Sequence, residues 1–194
     1  MGWWVTGPGA LLRRAVRSIL SSVAEYQLYG LYTVDRSVSL PALPDGYRFA
    51  MADAEMLAAL AAHPDAKTAK AARFMITGAY AHAVLADGVS PAAIAFFYDS
   101  GVFGSHDILP LGACETALVE LVTAPEHRGR GLASALIAES SNAMFERGSK
   151  RQRAWIWWSN TPSIRAFRKA GWRRTGFTLQ FRVGAIRIAL RLGN

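Results

Sequence analysis

The stretch that most constrains how this chain can fold runs from Glu115 to Arg147. Apolar and β-branched residues dominate Glu115–Thr123, which reads as a strand ended by Ala124-Pro125. The loop Glu126-His127-Arg128-Gly129-Arg130-Gly131 follows, and apolar residues then recur at helical spacing from Gly131 to Arg147, stopped by Gly148. The first amides of such a helix have no partner within it and carry partial positive charge, so they form a ready anion site. Gly129 and Gly131 lack Cβ, so a phosphate can come close to the backbone, and Arg128 and Arg130 add full charges. A charge-assisted hydrogen bond contributes about 1.5–3 kcal/mol, so a handful of them can hold a diphosphate.

Around this segment the chain reads as strands first, then strand and helix in alternation, which predicts a mixed α/β sheet flanked by helices. Tyr47–Ala50 is a short strand. Asp53 caps a helix through about Ala62, stopped by His63-Pro64, and a second helix runs from Asp65 to about Thr77. Ala81–Ala86 and Ala92–Tyr98 form a hairpin around Asp87-Gly88. Downstream come a strand over Arg153–Trp158, a helix over Thr161–Ala170 stopped by Gly171, and closing strands over Trp172–Phe181 and Ala185–Leu192. Ahead of all this, Leu12, Val16, Ile19, Val23 and Tyr26 fall in three- and four-residue steps, predicting an amphipathic helix from Ala10 to about Tyr29. The turn-rich run Leu40–Gly46 divides the chain into an N-terminal helix and linker, 1–46, and a folded domain, 47–194.

Composition enters as exclusion. With 194 residues, 52% of them hydrophobic, the chain can bury a core, and a single cysteine, Cys114, rules out an internal disulfide framework. No apolar run is long enough to cross a membrane, and Arg13, Arg14 and Arg17 interrupt the N-terminal run, so no signal peptide is expected. The expected location is the cytoplasm, or the inner face of the membrane if the helix within residues 1–29 lies on it with Trp3 and Trp4 ahead; packing on the domain or on a second copy, as in a homodimer, is the competing use. The net charge of +8 is uneven: residues 126–194 hold 14 Lys and Arg against Glu126, Glu139 and Glu146, whereas residues 1–125 hold eight bases and eleven acids. An anionic partner for the C-terminal part follows, whether nucleic acid, membrane or a phosphorylated small molecule.

The string Arg128-x-x-Gly131-x-Ala133 resembles the Gln/Arg-x-x-Gly-x-Gly/Ala signature of the GNAT (Gcn5-related) N-acetyltransferases. Downstream, Asn160-x-x-Ser163-x-x-x-Phe167-x-x-x-Gly171-Trp172 is similar to that family's second signature, which has Tyr where Phe167 stands. The resemblance spans roughly Tyr47 to Asn194. It implies a mostly antiparallel sheet with a splayed central strand pair, and acetyl-coenzyme A as cofactor with no metal. It would place the diphosphate on Arg128, Gly129, Arg130, Gly131, Leu132 and Ala133, and the pantetheine arm along Leu121, Val122 and Thr123, with Asn160, Ser163 and Phe167 beside it.

The implied activity is transfer of an acetyl group to a primary amine of a small molecule, such as an amino sugar or amino acid, in a ternary complex. Glu120 matches the family's general-base position, and Glu115 on the same strand is the second candidate. The usual proton donor to the leaving thiolate is the tyrosine that Phe167 replaces, so that role falls to water, to His127, to another hydroxyl or to nothing. Two alternatives stay open: an acetyltransferase acting on a protein amine or aminoacyl-tRNA, and a non-catalytic acyl-coenzyme A binding module. Cofactor phosphates account for part of the basic surplus, which argues against a nucleic-acid partner.

Overall fold

A computed structural model describes residues 24–39, 41–86, 88, 90–104, 110–183 and 186–193. Eight strands form one sheet. They are β1 (Ala24–Val34), β2 (Tyr47–Met51), β3 (Tyr80–Ala86), β4 (Ser90–Asp99), β5 (Glu115–Thr123), β6 (Arg151–Trp157), β7 (Arg173–Val183) and β8 (Ile186–Gly193). Their order is β2-β3-β4-β5-β6-β1-β7-β8, and every neighbouring pair is antiparallel except β5 and β6. The described helices are α1 (Ala54–Ala61), α2 (Ala66–Lys70), α3 (Ser100–Phe103), α4 (Leu132–Glu146) and α5 (Thr161–Lys169).

The mixed, mostly antiparallel α/β architecture expected from the sequence is what the structure shows. On one face, α4 and α5 bury Leu132, Leu136, Ile137, Met144 and Phe167 against Val84, Ala95, Phe97, Leu118, Ala154 and Ile156. On the other, α1 and the 3-10 turn Ala71–Phe74 cover Ala83, Leu85, Ile94, Phe96 and Val122 with Met56, Leu60 and Ala71. Alternate residues of one strand face opposite sides, so β4 divides Ile94 and Phe96 from Ala95 and Phe97 between these two cores.

The predicted N-terminal helix is corrected over its last residues: Ala24–Tyr29 belong to β1, and the part before Ala24 lies outside the described residues. Three tyrosines, Thr33 and Val34 favour the pleated backbone, and Gly30 disfavours a helix. β1 also pairs on both edges, with β6 from Tyr29↔Trp157 to Val34↔Gln152 and with β7 from Ala24↔Val183 to Thr33↔Arg173. Residues that the sequence assigns to an appendage therefore complete the middle of the sheet. The linker is tied down as well: Asn142 on α4 accepts from Val38 N and donates to Val38 O, both at 3.0 Å. Gly171 shows why α5 stops where it does. Its φ is +81°, and a Cβ there would lie 2.8 Å from Val38 Cγ1.

The second predicted helix is shorter than expected, ending at Lys70 and tightening into the 3-10 turn Ala71–Phe74. Tyr98 Oη donates to Phe74 O at 2.7 Å, fastening that turn to β4 and stopping the chain from continuing as helix.

Candidate active site

The motif strand and helix are built as their sequences demand. β5 runs to Thr123, a 3-10 turn spans Pro125–His127, and α4 begins after Gly131. Gly129 (φ +78°) and Gly131 (φ +81°) take the left-handed conformation that L side chains resist, and a Cβ at either would point into open space. Among the described residues no side chain caps α4, so its leading amides are open to an anion. Arg128 Nε donates to Thr123 O at 3.1 Å, which draws the loop back across the end of β5.

The slot between strands comes from broken pairing. β5 and β6 are paired only at Glu115↔Arg151, Thr116↔Gln152 and Ala117↔Arg153, after which the two strands part. On the other edge of β5 the register with β4 shifts, with Phe97 opposite Leu118 but Phe96 opposite Glu120. Val119 is the extra residue of this bulge, and such a residue re-aims its neighbours. The resulting cavity of about 720 Å³ is lined by Leu118–Thr123, by His127–Gly129 and Gly131–Ala133 of the loop and helix start, by Trp155 and Trp157 on β6, and by Asn160, Ser163 and Phe167. The backbone edge of β5 beyond Ala117 has no strand partner on the β6 side.

The structure thus brings Glu120, Leu121, Val122, Thr123, Arg128, Gly129, Gly131, Leu132, Ala133, Asn160, Ser163 and Phe167 around one cavity, with Arg130 exposed in the same loop. Asn160 Oδ1 caps α5 by accepting from Ser163 N at 3.3 Å, which leaves the Asn160 amide NH2 for a ligand. Phe167 is buried, with its ring edge-on to Trp172 at 5.0 Å and tilted against Tyr32 at 6.1 Å. It contributes an apolar wall and no proton.

The two carboxylates of β5 have different surroundings. Glu120 is half-buried, and among the described residues its carboxylate accepts only a long bond from Leu121 N at 3.2 Å. Burial pushes its carboxyl above the usual range, opposed by that amide and by the charges of Lys67 and Arg73. Glu115 sits at the start of the strand, where β5 and β6 are still paired. Its carboxylate accepts from Gly112 N at 2.9 Å, Arg151 Nη1 at 3.2 Å and Arg153 Nη2 at 3.1 Å. Arg153 Nε also lies 2.9 Å from it but off the hydrogen-bond line, so that contact is ionic only. Glu115 is not among the residues that line the cavity.

The sequence reading missed the residues of the β2–α2 side. Tyr47 Oη and His127 Nδ1 are 3.0 Å apart, and His63 Nε2 lies 3.1 Å from Glu126 Oε1. Lys67 of α2 lines the cavity. Tyr47 and His63 carry no local signature, because each is defined by a contact 80 or 63 residues away in the chain.

A family model described as FR47-like protein matches residues 111–181, which include both motifs. No curated protein matches the chain. Among solved structures it is similar to a GCN5-related N-acetyltransferase from Sphaerobacter thermophilus, with 14% identity, TM-score 0.58, and 94% of this chain and 58% of that one covered. It is also similar to a GCN5-related N-acetyltransferase from Kribbella flavida, with 17% identity, TM-score 0.54, and 92% and 63% covered. A tandem GNAT protein from the clavulanic acid biosynthesis pathway superposes with 15% identity, TM-score 0.59, and 98% and 62% covered. The chain thus spans about three fifths of the length of these structures. Among the described residues no helix is long and apolar enough to cross a membrane. In fold the chain is similar to these GCN5-related N-acetyltransferases, and the FR47-like segment covers both motifs.

Proposed function

We propose that the protein moves an acetyl group from acetyl-coenzyme A to a primary amine of a small molecule, by direct attack with both bound. The observation that carries this reading is the slot itself: an unpaired backbone edge at Leu121–Thr123 leads from a half-buried carboxylate to a helix terminus with free amides. A peptide-like arm needs backbone partners and a diphosphate needs amides with Arg, and the slot offers the two in line. Acetyl-coenzyme A supplies the acyl thioester when bound.

The chain's own residues then divide the work. The amides from Gly129 to Ala133, with Arg128 and Arg130, hold the phosphates; the edge of β5 and the Asn160 amide orient the arm. Glu120 takes the proton from the attacking amine. Desolvation raises its basicity toward that task, since a base works best with a pKa near the working pH. A backbone amide near Val122 polarises the acyl oxygen. Phe167 excludes water from the slot but returns no proton, so solvent protonates the departing thiolate.

The test is calorimetric titration of the full chain with acetyl-coenzyme A, followed by thiol release across a panel of amines. Binding and amine-dependent release are expected. Binding without release over a broad panel would favour the acyl-coenzyme A binding module that Phe167 suggests, and absence of binding would overturn the cofactor assignment.

A further inference from the structure

We infer that the amine taken by this site carries an anionic group of its own, a carboxylate or a phosphate, and that Lys67 and Arg73 receive it. The inference deepens the acyl-transfer reading and rests on it.

Lys67 is placed by rigid elements. Asp65 caps α2 by accepting from Thr68 N at 2.8 Å and Thr68 Oγ1 at 2.7 Å, and Thr68 is buried. Asp65 N donates to His63 Nδ1 at 3.0 Å, and His63 in turn meets Glu126 at the start of the phosphate loop. That chain of contacts clips α2 to the loop and leaves Lys67 on the cavity wall. Arg73 belongs to the 3-10 turn that Tyr98 fastens to β4. Its guanidinium lies 5.2 Å from the centroid of the Phe74 ring, which leans on Phe96 at 6.3 Å. Phe96 is the cross-strand partner of Glu120. Both cations therefore stand on the face of the sheet toward which Glu120 projects, and both act electrostatically on its carboxylate.

Neither cation is used up by the fold. Among the described residues, neither has a carboxylate within ion-pair distance. An amine that arrives as an ammonium ion would meet Glu120 but also two positive charges, which repel it. The same pair becomes favourable when the acceptor brings a negative group beside its amine, because the cations bind that group while still depressing the pKa of the neighbouring ammonium, and only the free amine attacks. Trp155 and Trp157 on the β6 wall offer flat apolar surface for the rest of such a molecule. The cations do not double as diphosphate ligands, since the amides of Gly129–Ala133 with Arg128 and Arg130 already supply that site.

The experiment compares matched amines on the full chain: phenylalanine against phenethylamine for a carboxylate, and glucosamine 6-phosphate against glucosamine for a phosphate. The anionic member of at least one pair is expected to show about tenfold or more higher kcat/KM, which assigns the source of the anion. In Lys67→Ala/Arg73→Ala that preference is expected to collapse through a rise in KM of the anionic amine, with the KM of acetyl-coenzyme A moving less than about twofold. Lys67→Glu/Arg73→Glu should turn the preference toward the neutral-bodied amine. Equal use of both members of both pairs would overturn the inference while leaving acyl transfer intact, as would a variant whose defect lies in the KM of acetyl-coenzyme A. Absence of thiol release with every amine tested would instead overturn the acyl-transfer reading and this inference with it.

Discussion

Glu120 stands directly across from Phe96 in the β4–β5 ladder, one residue beyond the extra residue Val119. Without that bulge the period-two alternation from Leu118 would turn Glu120 toward the α4 side, where Leu118 is buried. With it, the carboxylate joins Lys67, Trp155 and Trp157 around the cavity. A local irregularity of one residue decides which side of the sheet carries this carboxylate.

Glu120→Gln keeps the shape and removes the proton acceptor. Turnover is expected to fall by about 10²–10⁴-fold with little change in acetyl-coenzyme A affinity. In the parent protein, activity needs the ionised carboxylate, so it should be lost as pH falls through a pKa displaced upward by burial. A kcat/KM profile with its acidic limb above the ordinary glutamate range checks this, and the same profile in the variant should lack that limb.

Gly131→Asp places a carboxylate at the head of α4, where the diphosphate is proposed to sit, and forces a side chain into φ +81°. Acetyl-coenzyme A binding should weaken by about 100-fold or more, from lost amide access and charge repulsion together. Titration calorimetry gives the answer; unchanged affinity would refute the loop assignment.

Glu115→Gln should behave differently from Glu120→Gln. It strips a buried carboxylate from between Arg151 and Arg153, and a loss of about 1–3 kcal/mol of stability is expected. Denaturant unfolding measures the loss, while the pH profile of turnover should keep its shape.

His82 makes the fold sensitive to acid. It is buried on β3, stacked on Phe49 at 5.5 Å and edge-on to Phe97 at 6.0 Å, with Nδ1 lacking a hydrogen-bond partner among the described residues. Burial, and then the charge of Arg147, depress its pKa from 6.5 to about 4. Between these values the unfolded chain binds a proton that the native protein refuses. Stability from this group is therefore full above about pH 6.5 and declines toward pH 4, by about 3 kcal/mol in all. His82→Leu should flatten that part of the curve, measured as unfolding free energy at pH 4 and pH 7.

How far the sequence could be read depends on the range of the interactions involved. The strand–loop–helix from Glu115 to Arg147 is legible because a Pro, two glycines and an apolar helical stripe act within a few residues of each other. The same holds for the Asn160 cap and the stop at Gly171, although the tight fit of Gly171 against Val38 is not. Ala24–Val34 misleads because Val23 and Tyr26 continue a helical spacing, while the hydrogen bonds that make it a strand lie on β6 and β7, more than a hundred residues away.

By itself, then, the sequence determines the glycine-rich loop after β5, the helix behind it and the missing hydroxyl at Phe167, all of them consequences of residue type and short spacing. Only the tertiary structure decides that β1 completes the sheet, that Glu120 and Glu115 part company, and that Lys67 and Arg73 lie on the same side of the sheet as Glu120. Strand pairing, burial and Coulomb interactions depend on distance in space, and separation along the chain does not encode it.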